Sequence, residues 1–292
     1  MMRGIEYHYP EDKYRADPCE VPSLSQSIAK ILVNESELHA QRAHPRLGGH
    51  VRPRTKAMGV GTICHAIMLG QPLPEIELIP YDDYKTKDAQ ALKRLAIDCG
   101  KIPLTNKEHG EQGKLMQAAL TIRSKLADRG VTFSVDHCEV AMFWTVNGVQ
   151  CKARIDNLEG PHAIDLKFTA CAHPDFIDRQ VETIGYNIQS AAYTEAIEEL
   201  VPDAVGQGKF TLLFCETEPP YCITPARMSP EASMIGMLKW KYAQRRWAEC
   251  LQSGQWNEYI APGQCHIVPG KPWALQQAME RYGTPGGILN GS

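Results

Sequence analysis

The sequence predicts an α/β fold: a central mixed sheet with its core elements in the order helix, three strands, helix, strand, flanked by further helices. Three observations predict it. Asn147-Gly148 separates two apolar runs, Cys138 to Thr145 and Val149 to Asn157. That dipeptide suits a two-residue hairpin turn, whose central positions both need positive φ. A second turn sequence, Leu158-Glu159-Gly160-Pro161-His162, leads into a third run, Ala163 to Phe168. A helical pattern then covers about Pro174 to Leu200, and Lys209 to Cys215 reads as a further strand.

The remaining elements follow in order. Met1 to Tyr14 is polar and has no apolar segment of the kind a signal peptide carries. Residues 20–40 read as a helix that starts near Ser25 or Ser27. Gly61-Thr62-Ile63-Cys64-His65 opens a short apolar helix that runs through Leu69. Residues 71–85, with several Pro and Tyr, read as a loop, and 86–99 and 106–129 as two helices. In the second of these, Leu115, Ala118, Ala119, Ile122 and Leu126 recur at helical spacing. A turn at Glu218-Pro219-Pro220-Tyr221 precedes a last helix, Pro230 to Gln252, and a Gly- and Pro-rich tail from Gly254. The expectation is one domain over 1–292, with a helical insertion at about 71–130 and a C-terminal helix and tail at about 228–292.

Composition narrows the class. Hydrophobic residues at 43% and charged residues at 22% fit a soluble globular chain. No apolar run approaches the roughly 20 residues that span a membrane. The ten cysteines are scattered without a C-x-x-C, so reduced thiols in a cytoplasm are expected rather than disulfides. A formal net charge of −3 does not exclude a polyanionic partner, because the field that matters is local. Arg42, Arg46, Arg52, Arg54 and Lys56 lie in an acid-free stretch just before Gly61.

The chemistry concentrates on the three strands. Side chains alternate along a strand, so Asp165 and Lys167 in Ala163-Ile164-Asp165-Leu166-Lys167-Phe168 share a face. A carboxylate and an ammonium on an apolar strand cost desolvation energy unless they serve something. With Asn147 and Gly148 as the turn, Val146 faces Val149 and Glu139 faces Asp156. Two acids directly opposite repel unless a cation lies between them. The next hairpin brings Asp165 alongside Asp156. Three carboxylates and a lysine are thus expected at one level of the sheet, a hard-oxygen set suited to Mg²⁺ or Mn²⁺. A bulge would turn one acid to the other face. Downstream, Gln189 and Tyr193 lie four apart and share a helix face.

In this order the boxes resemble the PD-(D/E)xK nuclease superfamily: G-x-x-x-H at Gly61–His65, then Glu139, Asp156, Asp165-Leu166-Lys167, then Gln189-x-x-x-Tyr193. The His-bearing opening and the Q-x-x-x-Y box resemble its RecB-like branch. Within it the likeness is to the exodeoxyribonuclease VIII (RecE) nuclease domain and its phage relatives. Pro22–Ser27, Arg54–Met58 and Cys151–Asp156 support it, over roughly residues 1–250.

The resemblance implies a restriction-endonuclease-like core and a metal-dependent 5′→3′ exonuclease. Such an enzyme acts on double-stranded DNA ends and leaves 3′ single strands. Asp156 and Asp165 would hold the metal, with the Leu166 carbonyl as a further ligand. Lys167 would position or deprotonate the attacking water and stabilise charge on the phosphate. Glu139 and His65 would complete or support a second metal position. Gln189 and Tyr193 would orient Lys167 or contact the DNA backbone. Arg52, Arg54, Lys56 and Thr62 are expected to contact DNA. It also implies a homo-oligomeric ring, trimer or tetramer, and a single-strand annealing partner. Some relatives carry a four-cysteine Fe–S cluster; none is expected here, because the clustered C-terminal cysteines are missing. Alternatives are a repair or defence endonuclease of the same superfamily and a catalytically silent DNA-binding member. Intact Glu139, Asp156, Asp165 and Lys167 argue against silence. No Walker A sequence is present, which argues against ATP-driven unwinding.

Overall fold

The computed structural model describes residues 3–50, 63–72, 75–260 and 263–283. Contacts divide the chain into two units, Met1–Trp256 and Asn257–Ser292. In the second unit the tail contains a helix, α10 (Pro272–Tyr282), where no pattern was expected.

The first unit is built on a seven-stranded sheet. Strands β5 (Cys138–Val146), β6 (Val149–Glu159) and β7 (His162–Thr169) form the two hairpins read from the sequence. The first has the register of a two-residue turn, with Val146 opposite Val149 and Cys138 opposite Asn157. Asn147 and Gly148 have φ of 49° and 78°, as that turn requires. β8 (Lys209–Glu216) adds parallel to β7, and β9 (Ile223–Ala226) adds antiparallel to β8. β1 (Gly4–Glu6) closes the other edge against β5.

The sheet splits at β6. One edge of β6 pairs with β5 along its length. On the other edge, Asn157–Glu159 pair with β7, whereas Cys151 and Lys152 pair with the two-residue strand β2 (Leu24–Ser25). Among the described residues no strand pairs with that edge between Ala153 and Asp156.

Helices cover both faces. On one side α2 (Gln26–Asn34), α8 (Tyr186–Leu200) and α9 (Pro230–Ser253) pack over Trp144, Ile155, Leu212, Phe214, Trp240 and Trp247. On the other, α4 (residues 63–68) and α6 (Asn106–Ala127) pack Met68, Leu69, Ile122 and Leu126 on Leu166, Leu213 and Cys215. The short helices α1 (Glu11–Ala16) and α3 (Glu37–Ala43) lie near the N-terminus.

A half-buried carboxylate joins α8 to its neighbours. Glu195 accepts the indole N–H of Trp144 and of Trp240, each at 3.0 Å, and the Gln244 amide at 2.6 Å. Close approach of α8 and α9 needs Gly236, where a Cβ would lie 2.2 Å from the Asn187 carbonyl oxygen.

Three expectations are corrected. The single helix expected over 20–40 is strand β2 followed by two helices, α2 and α3, the second capped by Ser36. The pattern over 174–200 is two helices, α7 (Pro174–Ile184) and α8, broken at Gly185 in the left-handed region (φ 74°). The expected loop at 71–85 contains β3 (Ile76–Ile79), which pairs parallel with β4 (Ile102–Thr105) across α5 (Lys87–Asp98). Parallel strands need such a crossover. The two insertion helices lie close to where the sequence places them, and Thr105 and Glu108 form a capping box at the second.

Candidate metal centre

The split in the sheet positions the site. Val140 and Ile155 pack into the α8–α9 core, and Leu158, three residues beyond Ile155, packs there too. Cys138, two residues from Val140, packs on the α4–α6 side instead. Residues two apart on a regular strand share a face, so the alternation slips by one between these points on both strands. On β5 the slip falls at Glu139, whose φ is 54°. On β6 it falls at Asp156 or Asn157. Glu139 and Asp156, opposite by the register of the pairs on either side, therefore lie at or beside the point where the hairpin turns over.

Asp156 points into the gap between β6 and β7. Its Oδ2 accepts the Leu166 backbone N–H at 2.7 Å and lies 3.4 Å from His65 Nδ1 on α4. His65, Glu139 and Asp156 each offer a ligand atom within 4.8 Å of the others. Arg154 Nε donates to Glu139 Oε2 at 2.5 Å, leaving the other carboxylate oxygen free of that bond. Burial, then the Asp165 charge, push the Asp156 carboxyl up to about 7, against the pull of His65 and Lys167. Two carboxylates and an imidazole, with one of the two acids resisting ionisation, fit a divalent cation.

Asp165 lies beside this triad and outside it. The carboxylate is buried, accepts the Gln189 amide of α8 at 2.5 Å and is paired with Lys167. Asp165 and Lys167 thus reach α8, whereas Asp156 reaches α4. Among the described residues His65, not Asp165, closes the group with Glu139 and Asp156, so the three carboxylates expected together do not close on one point. Burial lowers the Lys167 pKa, and Asp165 and Asp156 outweigh it, so the ammonium titrates above an ordinary lysine.

Gln189 and Tyr193 do share a helix face. Gln189 holds Asp165, not Lys167. Tyr193, also buried, donates its hydroxyl to the Arg154 carbonyl at 2.7 Å. That carbonyl belongs to the β6 segment without a strand on its outer edge, so Tyr193 satisfies a backbone group the split exposes. Arg52, Arg54, Lys56 and Thr62 lie outside the described residues.

Sequence reasoning missed four groups. Arg154 and Lys152 continue the Asp156 row along β6 at two-residue spacing, a signal present in Cys151–Asp156. Lys152 pairs with the fully buried Asp17, which also takes Ser23 Oγ at 2.5 Å and faces His44. Burial works against the Asp17 charge, but these partners hold its carboxyl well below the usual range. Tyr14, Arg15, Ser25, Lys152 and Arg154 border a cavity of about 310 Å³. Tyr186, first in α8, has the ammonium groups of Lys167 and Lys30 each 5.3 Å from its ring centre.

Residues 25–270 match the model of a family described as a PDDEXK-like domain of unknown function, DUF3799. The chain belongs to that family. The PDDEXK-like assignment covers the split sheet, the acids and the Gln189–Tyr193 helix alike. A crystal structure of a Eubacterium rectale protein provisionally named an exonuclease is similar in fold, with a TM-score of 0.57 and 13% identity over 92% of this chain and 98% of that one. No curated protein matches. The PD-(D/E)xK superfamily and its mixed α/β core are thereby shown for this chain. Among the described residues no helix is long and apolar enough to cross a membrane.

Proposed function

We propose that this PDDEXK-like protein is a metal-dependent deoxyribonuclease, and specifically a 5′→3′ exonuclease on duplex DNA ends. The observation that carries the reading is the convergence of His65, Glu139 and Asp156 beside the Asp165–Lys167 pair. The fold neighbour's name and the likeness to RecE-type sequences support the exonuclease form.

His65, Glu139 and Asp156 would hold a divalent ion, Mg²⁺ or Mn²⁺, with Asp165 and the Leu166 carbonyl at its border. Such an ion supplies Lewis-acid charge to a phosphate oxygen and a more acidic water. The chain's own groups do the rest. Lys167, kept protonated by Asp165 and Asp156, donates to the phosphate as negative charge builds on it. Gln189 fixes Asp165, and Asp165 fixes the Lys167 ammonium. In the hydrolysis a water oxygen bonds to phosphorus as the bond to a sugar oxygen breaks, and that oxygen takes up a proton. Arg52, Arg54, Lys56 and Thr62 are proposed DNA contacts. A ring of identical subunits, an annealing partner and a cytoplasmic setting belong to the same proposal.

The test is cleavage of linear duplexes labelled at the 5′ or the 3′ end, beside a closed circle, in Mg²⁺. Early release of the 5′ label from linear DNA with the circle intact supports the proposal. Rapid linearisation of the circle moves the reading to an endonuclease, and early release of the 3′ label reverses the polarity.

A further inference from the structure

Lys30 is a cation near the Asp165–Lys167 pair that the nuclease chemistry leaves without a task. It stands in α2 within Ile28-Ala29-Lys30-Ile31-Leu32, and its side chain crosses to the α7–α8 junction. A Cβ at Gly185 would lie 3.2 Å from the Lys30 Cγ, so the backbone there leaves room for the stem. The ammonium reaches the Tyr186 ring that Lys167 also faces. Among the described residues no carboxylate stands within ion-pair distance of it. Burial, then the Lys167 charge, push Lys30 down to about 7, against a weaker pull from Asp165.

A half-buried ammonium with no carboxylate in ion-pair distance among the described residues, and with a second ammonium on the same ring, is unfavourable in the free protein. The cost is recovered if a ligand brings the anion. The stem packs on Gly185 and covers apolar surface, but that role needs methylenes and not a charge. The charge has a use only when a polyanion lies across Tyr186.

We propose that Lys30 is a substrate-phosphate contact of this site, donating to a nonbridging oxygen of the strand whose scissile phosphate is held by Lys167. The inference rests on the nuclease reading and assigns that site a further protein cation, supplied by helix α2 where Lys167 comes from strand β7. Each ammonium stands 5.3 Å from the Tyr186 ring centre, and in the proposal the two act on separate oxygens.

Lys30→Met keeps the stem and removes the charge; Lys30→Arg keeps a charge. Two readouts are compared with wild type, once melting curves show the variants folded. The first is duplex affinity against salt in EDTA, where chemistry is off. The second is the single-turnover cleavage rate in Mg²⁺ at saturating DNA. Loss of one phosphate contact lowers the log–log salt slope by about 0.9. The expected result for Lys30→Met is that drop, with a cleavage rate at least about tenfold lower because charge on the phosphate is less well neutralised. Lys30→Arg is expected to recover the slope. A wild-type slope in Lys30→Met overturns the contact, even if the rate falls, because Lys30 would then act through Lys167. If Lys30→Met does not fold, Lys30→Gln is read by the same criteria. Absence of cleavage by wild type would fell the nuclease reading, while the salt slope would still report on Lys30.

Discussion

The backbone N–H of Leu166 donates to the Asp156 carboxylate at 2.7 Å, across the point where β6 and β7 part. A backbone donor that a continuous ladder would have paired is satisfied by a site acid. The same carboxyl is pushed up to about 7, so it holds a proton at neutral pH more readily than an ordinary aspartate.

Divalent-ion binding must displace that proton. Affinity for Mn²⁺ is therefore expected to fall about tenfold per pH unit below about pH 7 and to level off above it. Mn²⁺ titration across pH 5.5–8.5 checks this. Flat affinity over the range would mean that Asp156 is ionised throughout or is not a ligand.

Stability without metal carries the opposite sign from a paired carboxylate. The folded Asp156 value lies above the ordinary 3.8. Between these values the folded state binds more protons than the unfolded one, so stability falls as pH rises through that window. Asp156→Asn removes this slope. In EDTA the variant should melt near wild type at about pH 4 and several degrees higher at pH 8, about 2–4 °C for each kcal/mol in a domain of this size. Thermal melts at both pH values decide it, and a variant less stable than wild type at pH 8 contradicts it.

Gln189 is expected to matter through Asp165. Gln189→Ala removes the 2.5 Å donor and frees Asp165 to move with Lys167. Cleavage should fall at least about tenfold with the fold retained, since a positioning error near 1 Å can cost about 10²-fold. Gln189→Glu sets a like charge against Asp165 and should fall further. Equal rates for wild type and Gln189→Ala in a single-turnover assay would show that Asp165 is held without it.

Glu195 is expected to be structural. Glu195→Ala strands two indole N–H groups and an amide, and each buried donor left unpaired costs about 1–3 kcal/mol. The melting temperature should drop by about 5 °C or more, whereas Glu195→Gln, which keeps an acceptor, should lose less. Calorimetry of the two variants separates these outcomes.

The hairpins were legible because Asn147-Gly148 fixes one turn and therefore one register. The slip at Glu139 was not. β5 is apolar on both faces through Val140–Trp144, so its sequence carries no alternation to reveal where the faces exchange. The break at Gly185 was hidden for a similar reason, since a lone glycine within a helical pattern is tolerated as often as it ends a helix. β3 and β4 are four residues each and pair across a helix, and neither run is long enough to stand out locally. Of the site, the acids and Lys167 could be read from types and spacing. Lys30 could not, because one lysine in an apolar helix reads as its solvent face until the α7–α8 junction is seen beneath it.

The most direct test of the account is hydrolysis of a linear DNA duplex by the purified protein at neutral pH, in Mg²⁺ and in EDTA, beside folded Asp156→Asn and Lys167→Ala. The account predicts cleavage by wild type in Mg²⁺, none in EDTA, and a loss of at least about 10²-fold in either variant. Cleavage that persists in EDTA, wild-type rates in either variant, or a folded wild type that leaves DNA intact in both Mg²⁺ and Mn²⁺ would contradict it.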